Sequence, residues 1–208
     1  MKLYDAKWAP SPRRVRIFLA EKGIEVPTET IDLRGGEHLA DDYLRVNPRG
    51  AVPALELDDG EVLCESAAIC RYFEALRPEP ALFGRTPIEI GRIESWTRRI
   101  ESDGYAAVAY VFRNTLPAFR DNAVVSHPGT AQIPELAARG MIMWEGFTAA
   151  LDRQLAAHPW VAGEDYSFAD ITALVTIDFA RAAKLGFEEH AALARWHQAA
   201  SARPSASA

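Results

Sequence analysis

The chain is poor in cysteine, has no basic excess and contains no long apolar run. Only Cys64 and Cys70 occur in its 208 residues. They stand six apart, so the chain has neither the C-x-x-C of a dithiol redox centre nor enough thiol ligands for a zinc site; burial in the core is the ordinary fate of such cysteines. The formal net charge of -6 argues against a general binder of nucleic acid or of anionic membranes, since either needs a basic face to neutralise phosphates. No apolar run approaches the roughly 18 to 20 residues of a membrane span. The opening Met1-Lys2-Leu3-Tyr4-Asp5 lacks the apolar stretch of a signal peptide, so the cytoplasm is the expected compartment. What is abundant is apolar residue: 49% of the chain supports a sizeable core, in one large domain or two small ones.

The pattern divides the chain into two unlike parts. Lys2 to Tyr4 and Thr28 to Leu33 read as strands, with a helix between them from Pro12 to Lys22 that Gly23 stops. Strand, helix, strand suggests a parallel pair. Pro53 to Leu57 and Glu61 to Cys64 flank the turn Asp58-Asp59-Gly60 as a hairpin, and a helix follows from Glu65 to about Leu76. Beyond Arg77-Pro78-Glu79-Pro80 the periodicity is helical nearly throughout, over Ile88–Leu116, Pro134–Ala156, Ser167–Lys184 and Ala191–Ala200. The small, polar tail Arg203 to Ala208 is expected to fray. The expected architecture is α/β followed by all-α: a thioredoxin-like domain over residues 1–77 with a mixed four-stranded sheet, a linker over 78–87, and a helical bundle over 88–208.

Two short stretches stand out. Asn47-Pro48-Arg49-Gly50-Ala51-Val52-Pro53-Ala54-Leu55 leads into the hairpin, and Glu65-Ser66 opens the helix after it. Taken alone, Pro53 is a residue that opens an edge strand, and Glu65 or Ser66 is a residue favoured at a helix start. A helix start is also where unpaired N-H groups and the positive dipole end favour an anion. Ser167-Phe168-Ala169-Asp170 has the capping-box pattern, with aspartate in the usual Glu/Gln place, and is read as folding machinery.

In this order and spacing the segments N-P-x-G-x-V-P-x-L and E-S-x-A-I resemble the cytosolic glutathione S-transferases, and the resemblance runs along almost the whole chain. The opening Ala9-Pro10-Ser11-Pro12-Arg13-Arg14-Val15-Arg16-Ile17-Phe18-Leu19-Ala20-Glu21-Lys22-Gly23 is similar to that of a bacterial and fungal subgroup without the standard Tyr, Ser or Cys activator. The resemblance implies a cis Val52–Pro53 peptide, with Val52 N-H and C=O pairing with glutathione as an added strand would. It implies Ser66 at the γ-glutamyl carboxylate and Glu65 at the ammonium. His38 matches a position that reaches the glycine carboxylate in some classes. Arg49 is a further cation for that group. Both also read as ordinary loop residues. The resemblance implies glutathione, as co-substrate, and a small electrophile as partners, a homodimeric assembly, and no metal or other cofactor.

A thiol near pKa 8.5 is only a few per cent ionised at neutral pH, and the thiolate is the nucleophile. Bringing that value to about 6.5 takes roughly 2.7 kcal/mol, of which a helix N-terminus supplies about 0.3 to 1 and at best near 2. A hydrogen bond from a side chain is the usual supplement. Here the position of the serine-type activator aligns with Ala9, and Tyr4 lies too early, inside the first strand. Ser11 remains in the turn, where its other reading is N-cap of a helix starting at Pro12. Residues 1–22 carry a local balance of +4, which is either a solvated face or a positive surround. In the resembled subgroup, polar groups of the second domain serve instead, which points to Arg113, Asn114 and Thr115. Tyr105, Ala109, Phe112 and Leu116 share one helix face and, with Trp8, are candidates to line an electrophile pocket between the domains, although such a stripe also reads as core. The reading is a glutathione transferase with a possible peroxidase side activity; a glutathione-binding or regulatory protein that has lost catalysis is the alternative.

Overall fold

The computed structural model describes residues 1–125 and 127–208, which form two compact units divided between Pro80 and Ala81. In the first unit the elements are β1 (Lys2–Asp5), α1 (Pro10–Lys22), β2 (Thr28–Thr30), α2 (Asp41–Val46), β3 (Ala54–Glu56), β4 (Val62–Cys64) and α3 (Ser66–Leu76). The sheet order is β2-β1-β3-β4, with β1 and β2 parallel and the other two pairs antiparallel. This is the mixed four-stranded sheet that the pattern predicts.

Strand alternation assigns the two faces of that sheet. Tyr4, paired with Ala54 across β1 and β3, packs with Ile31 and with Tyr43 of α2. Leu3, Leu55 and Leu63 form the adjacent row and point the other way. α1 packs against α3, each contributing a buried stripe that includes Val15, Phe18, Ile69 and Phe73. α1 ends on Gly23 in the left-handed conformation, whose N-H caps Ala20 O. Lys22, just before it, is buried; its ammonium pairs with Glu74 and donates to the carbonyls of Arg77, Pro78 and Pro80.

The second unit holds α4 (Pro87–Arg99), α5 (Ala106–Thr115), α6 (Pro134–Ala157), α7 (Phe168–Ala182) and α8 (Ala191–Ser201). A capping box at Thr86 and Glu89 starts α4. α7 is buried on nearly every side, as a central helix must be. Ser167 is its N-cap, and the Asp170 carboxylate accepts from Ser167 N at 3.0 Å, Ser167 Oγ at 3.0 Å, Val161 N at 2.9 Å and Trp196 Nε1 at 2.9 Å. Burial pushes this carboxyl up to about 6, against donors that each favour the ionised form.

Four local readings are corrected. The stretch Ile88–Leu116 is not one α-helix: a π-helical segment, Ile100–Tyr105, separates α4 from α5. Gly104 lets this segment approach α6, since a Cβ there would meet the Phe147 ring at 2.7 Å. The second strand ends at Thr30 rather than Leu33. α2 was not foreseen. The tail does not fray as a unit: Pro204–Ser207 is a 3-10 turn with Ser205 and Ala206 buried, and the Arg203 guanidinium lies 3.9 Å from the Tyr166 ring centroid.

Candidate functional site

Strand register gathers the candidate residues of the first unit at one end of the sheet. Tyr4 opposite Ala54 and Ala54 opposite Cys64 bring the β1–α1 turn, the Val52–Pro53 entry to β3 and the Glu65–Ser66 start of α3 side by side. Parallel pairing of Asp5 with Thr30 sends the loop after β2, which carries His38, to the same end. α1 and α3 both begin there, so two positive dipole ends converge.

The Val52–Pro53 peptide is cis. Its loop is braced from below: Tyr43 Oη and Asn47 Nδ2 both donate to Ala51 O, at 2.6 and 2.7 Å, and Asn47 Oδ1 accepts from Arg49 N at 3.1 Å. Val52 itself is half-buried against the Tyr4 and Tyr43 cluster, and Pro53 is buried. Gly50 has φ of 57°, and a Cβ there would sit 2.9 Å from His38 O, so this glycine lets the two loops touch. His38 Nδ1 is buried without a hydrogen-bond partner, and burial holds the imidazole below its ordinary pKa, in the neutral form.

Ser66 is the first residue of α3 and is buried; Glu65 caps the helix with φ of 71° and ψ of 121°, a backbone conformation that L side chains rarely adopt. The Glu65 carboxylate projects into solvent and pairs with Arg49. Sequence reasoning gave these two residues separate duties; the structure joins them to each other. A pair this exposed contributes about 0 to 1 kcal/mol and opens readily.

The β1–α1 turn departs from expectation. Ala9, with φ of -82° and ψ of 135°, is the N-cap and Pro10 the first helical residue, so Ser11 is not the cap but the second residue inside the helix. A proline fits the first helical place equally well at 10 or 12, and the extended backbone of Ala9 decides between them. Arg13 N donates to Ala9 O at 3.3 Å. Prolines at 10 and 12 leave Ser11 with the only N-H among the first three helical residues. The basic run is neither a solvated face nor one positive surround. Arg16 is matched by Asp5 at 2.5 Å and by Lys7 O, Lys2 pairs with Glu29, and Lys22 and Arg14 are buried. Tyr4 sits in β1 and donates to Glu56 at 2.7 Å. Trp8 is 55% exposed, with the Arg34 guanidinium 5.4 Å from its ring.

In the second unit, Tyr105, Ala109, Phe112 and Leu116 are all half-buried. The rings form a chain: Tyr105 meets Phe179 at 5.5 Å, Phe179 meets Phe112 at 5.0 Å, and Phe112 meets Phe119 at 5.2 Å. The three polar candidates differ. Asn114 is committed at both ends of its amide, donating to Tyr110 O and accepting from Ile133 N, each at 2.8 Å. Thr115 donates to Val111 O at 2.7 Å, the usual back-bond of a helical threonine. Arg113 alone keeps its charged end for other work, packed 5.0 Å from the Phe119 ring centroid.

A family model of the glutathione S-transferase N-terminal domain matches residues 8–76, and one of the glutathione S-transferase C-terminal domain matches residues 147–204. The chain belongs to the glutathione S-transferase family. It is 36% identical to glutathione S-transferase 2 of Saccharomyces cerevisiae over 99% of this chain and 87% of that protein. Among solved structures it is similar to Gtt2 from Saccharomyces cerevisiae, with a TM-score of 0.90 at 36% identity over 99% of this chain and 98% of that one. It is likewise similar to a glutathione S-transferase domain-containing protein of Marinobacter aquaeolei, with a TM-score of 0.88 at 35% identity over 99% of each chain. These relatives place the chain among enzymes, as glutathione S-transferases.

Within this glutathione S-transferase fold, sequence reasoning missed the bracing role of Tyr43 and Asn47 and the ring partners Phe119 and Phe179. Asn47 had a signal: a buried-type amide four residues before Ala51 in a glycine-proline loop is placed to hold its carbonyl. Phe179 had none, because its partners lie over 60 residues earlier in the chain. Among the described residues no group of three or more His, Cys, Asp or Glu side chains is arranged to hold a metal, and no helix is long and apolar enough to cross a membrane.

Proposed function

We propose that the chain binds glutathione at the end of the sheet formed by the Val52–Pro53 loop and the start of α3, stabilises its thiolate, and conjugates it to a small hydrophobic electrophile. The observation that carries this reading is the convergence of Val52–Pro53, Glu65–Ser66, His38 and Arg49 on one end of the sheet in a chain of this family.

Glutathione has two carboxylates and an ammonium, and the site has matching groups. Val52 pairs with the cysteinyl backbone as an added strand. Ser66 N-H and Oγ take the γ-glutamyl carboxylate at the positive end of α3. The ammonium displaces Arg49 from Glu65, which costs little for so exposed a pair. Arg49 then turns to the glycine carboxylate, beside the neutral His38. Pro53 fixes the loop and makes no polar contact. For the sulfur, the donors of the first unit are the Ser11 hydroxyl and N-H at the start of α1, whose dipole favours the thiolate. Of the polar candidates in the second unit, Asn114 and Thr115 have their end groups engaged, and Arg113 has its charged end left for a reactant. The aromatic row Tyr105, Phe112 and Phe179 with Ala109 and Leu116 supplies apolar surface for the electrophile, and Trp8 is an exposed apolar group of the first unit.

In conjugation the sulfur bonds to the electrophilic carbon, the leaving group departs with its electron pair, and the thiol proton goes to solvent. Reduction of a hydroperoxide to an alcohol and water, with two glutathiones oxidised to the disulfide, uses the same thiolate. Glutathione is a co-substrate and no further cofactor enters. The reading includes a cytoplasmic homodimer with a detoxifying role; exposed Ile88 and Ile90 on α4 are apolar surface that a second copy would cover.

Retention on immobilised glutathione, followed by turnover of 1-chloro-2,4-dinitrobenzene, tests this. We expect retention and turnover by the wild type, with retention lost in Ser66→Ala. No retention of the folded wild type would overturn the glutathione site, and retention without turnover of any electrophile or peroxide would favour a binding protein.

A further inference from the structure

Two buried charges of this protein are closely matched. Lys22 has Glu74 and three carbonyls, and Asp170 has four donors. Arg113 is different. Its guanidinium is half-buried beside Phe119, at one end of the ring chain that runs through Phe112 and Phe179 to Tyr105. Among the described residues no carboxylate pairs with it, and the titratable group that acts on its charge is the phenol of Tyr105. Burial lowers its pKa, as expected for a cation moved from water without a counter-ion.

Two plainer accounts exist. Arg113 lies in the last turn of α5, where a cation complements the helix dipole, and an arginine stem covers apolar surface while its head stays wet. Either is served by an exposed head. Neither calls for a half-buried guanidinium beside the Phe119 ring with no carboxylate partner among the described residues. A planar guanidinium over an aromatic face presents what a carboxylated arene needs: ring surface for its ring and a forked pair of donors for its carboxylate.

We propose that Arg113 determines specificity by recognising the carboxylate of an aromatic second substrate, so that the preferred electrophiles are anionic arenes. This rests on the transferase reading above and names its substrate class. With an activated aryl chloride, sulfur bonds to the ring carbon, chloride leaves with the C–Cl electron pair, and the thiol proton passes to solvent. Arg113 holds the remote carboxylate and takes no part in the bond changes.

The test separates binding from turnover. Calorimetry compares unreactive 3,5-dinitrobenzoate with its methyl ester on the wild type, Arg113→Gln and Arg113→Lys, with circular dichroism to check folding. The acid should bind the wild type at least tenfold more tightly than the ester. Arg113→Gln should abolish that preference, and Arg113→Lys should keep part of it. No preference in the wild type, or a preference that survives in folded Arg113→Gln or is undiminished in Arg113→Lys, would overturn the proposal. Chloride release from 4-chloro-3,5-dinitrobenzoate and its methyl ester in the presence of glutathione is the second arm. The acid-to-ester ratio of kcat/KM should fall at least tenfold in Arg113→Gln; an equal loss for both substrates would assign Arg113 to the thiol and overturn the specificity role. Selective binding of the acid with no turnover of either chloride would uphold the Arg113 site and sink the transferase reading.

Discussion

Asp170 and Glu65 are both carboxylates at the N-terminal turn of a helix, one in each unit, and the protein treats them in opposite ways. Asp170 is fully buried and accepts from three separate parts of the chain, the cap of α7, the strand-like turn at Val161 and the indole of Trp196 on α8. Glu65 has a side chain 68% exposed, sits on a strained backbone and pairs with Arg49. The first has every lone pair engaged and so nothing to offer a ligand. The second is held at a conformational cost of about 1 to 3 kcal/mol, and what it holds is a charge facing water. A satisfied, buried network fixes a fold; a strained, lightly held one at a sheet edge is available to a substrate.

That contrast can be broken most forcefully at Asp170. Replacing it with alanine strands several buried donors and should lower the unfolding free energy by about 3 to 5 kcal/mol in urea titrations. A loss under about 1 kcal/mol would show that the network is not what holds α7, α8 and the 161 turn together. Asp170→Asn refines the point through pH. The folded carboxyl is raised to about 6, so the stability it contributes is full below the unfolded carboxyl range and is lost as pH rises through about 6. The stability of the wild type relative to the non-titrating asparagine variant should therefore fall across that window. A middle-sized and opposite effect is expected at Glu65. Glu65→Gly relieves the positive φ and should leave stability unchanged or raise it by about 1 kcal/mol, while the glutathione Kd rises at least tenfold; loss of both stability and affinity would make Glu65 structural like Asp170. The smallest change belongs to Arg49→Ala, which should move stability by less than about 0.5 kcal/mol and weaken glutathione severalfold, with a dependence on salt.

The parts legible in the sequence are those in which one local signal suffices. Alternation and the Asp58-Asp59-Gly60 turn give the hairpin, periodicity gives α1 and α3, and Ser167 with Asp170 gives the start of α7. Illegible parts depend on tertiary contact. α2 has six residues, too few to nucleate a helix alone, and it is Tyr43, buried against Tyr4 and bonded to Ala51 O, that holds it in place. The cap of α1 was ambiguous because two prolines offered two starts. The tail was read from its small, polar composition, which says nothing of a cation stacked on Tyr166. At the candidate site the residue types were visible in two motifs, but the ion pair between Arg49 and Glu65 and the seat of Arg113 beside Phe119 belong to the folded arrangement and have no one-dimensional signature.

Lys22 changes how the proline-rich stretch after α3 is understood. In a string of letters, Arg77-Pro78-Glu79-Pro80 looks like punctuation, a place where one folded body stops. In three dimensions its carbonyls act as a receptor: prolines have no N-H to give but keep a full acceptor, and the carbonyls of Arg77, Pro78 and Pro80 close around one ammonium. Arg77 returns the grip by donating to the carbonyls of Lys22 and Gly23. The edge of the first unit is thus a two-way latch between the end of α1 and the end of the unit. A fragment cut at Leu76 would leave a lysine ammonium inside the protein with most of its acceptors gone, whereas one cut after Pro80 would keep the latch whole.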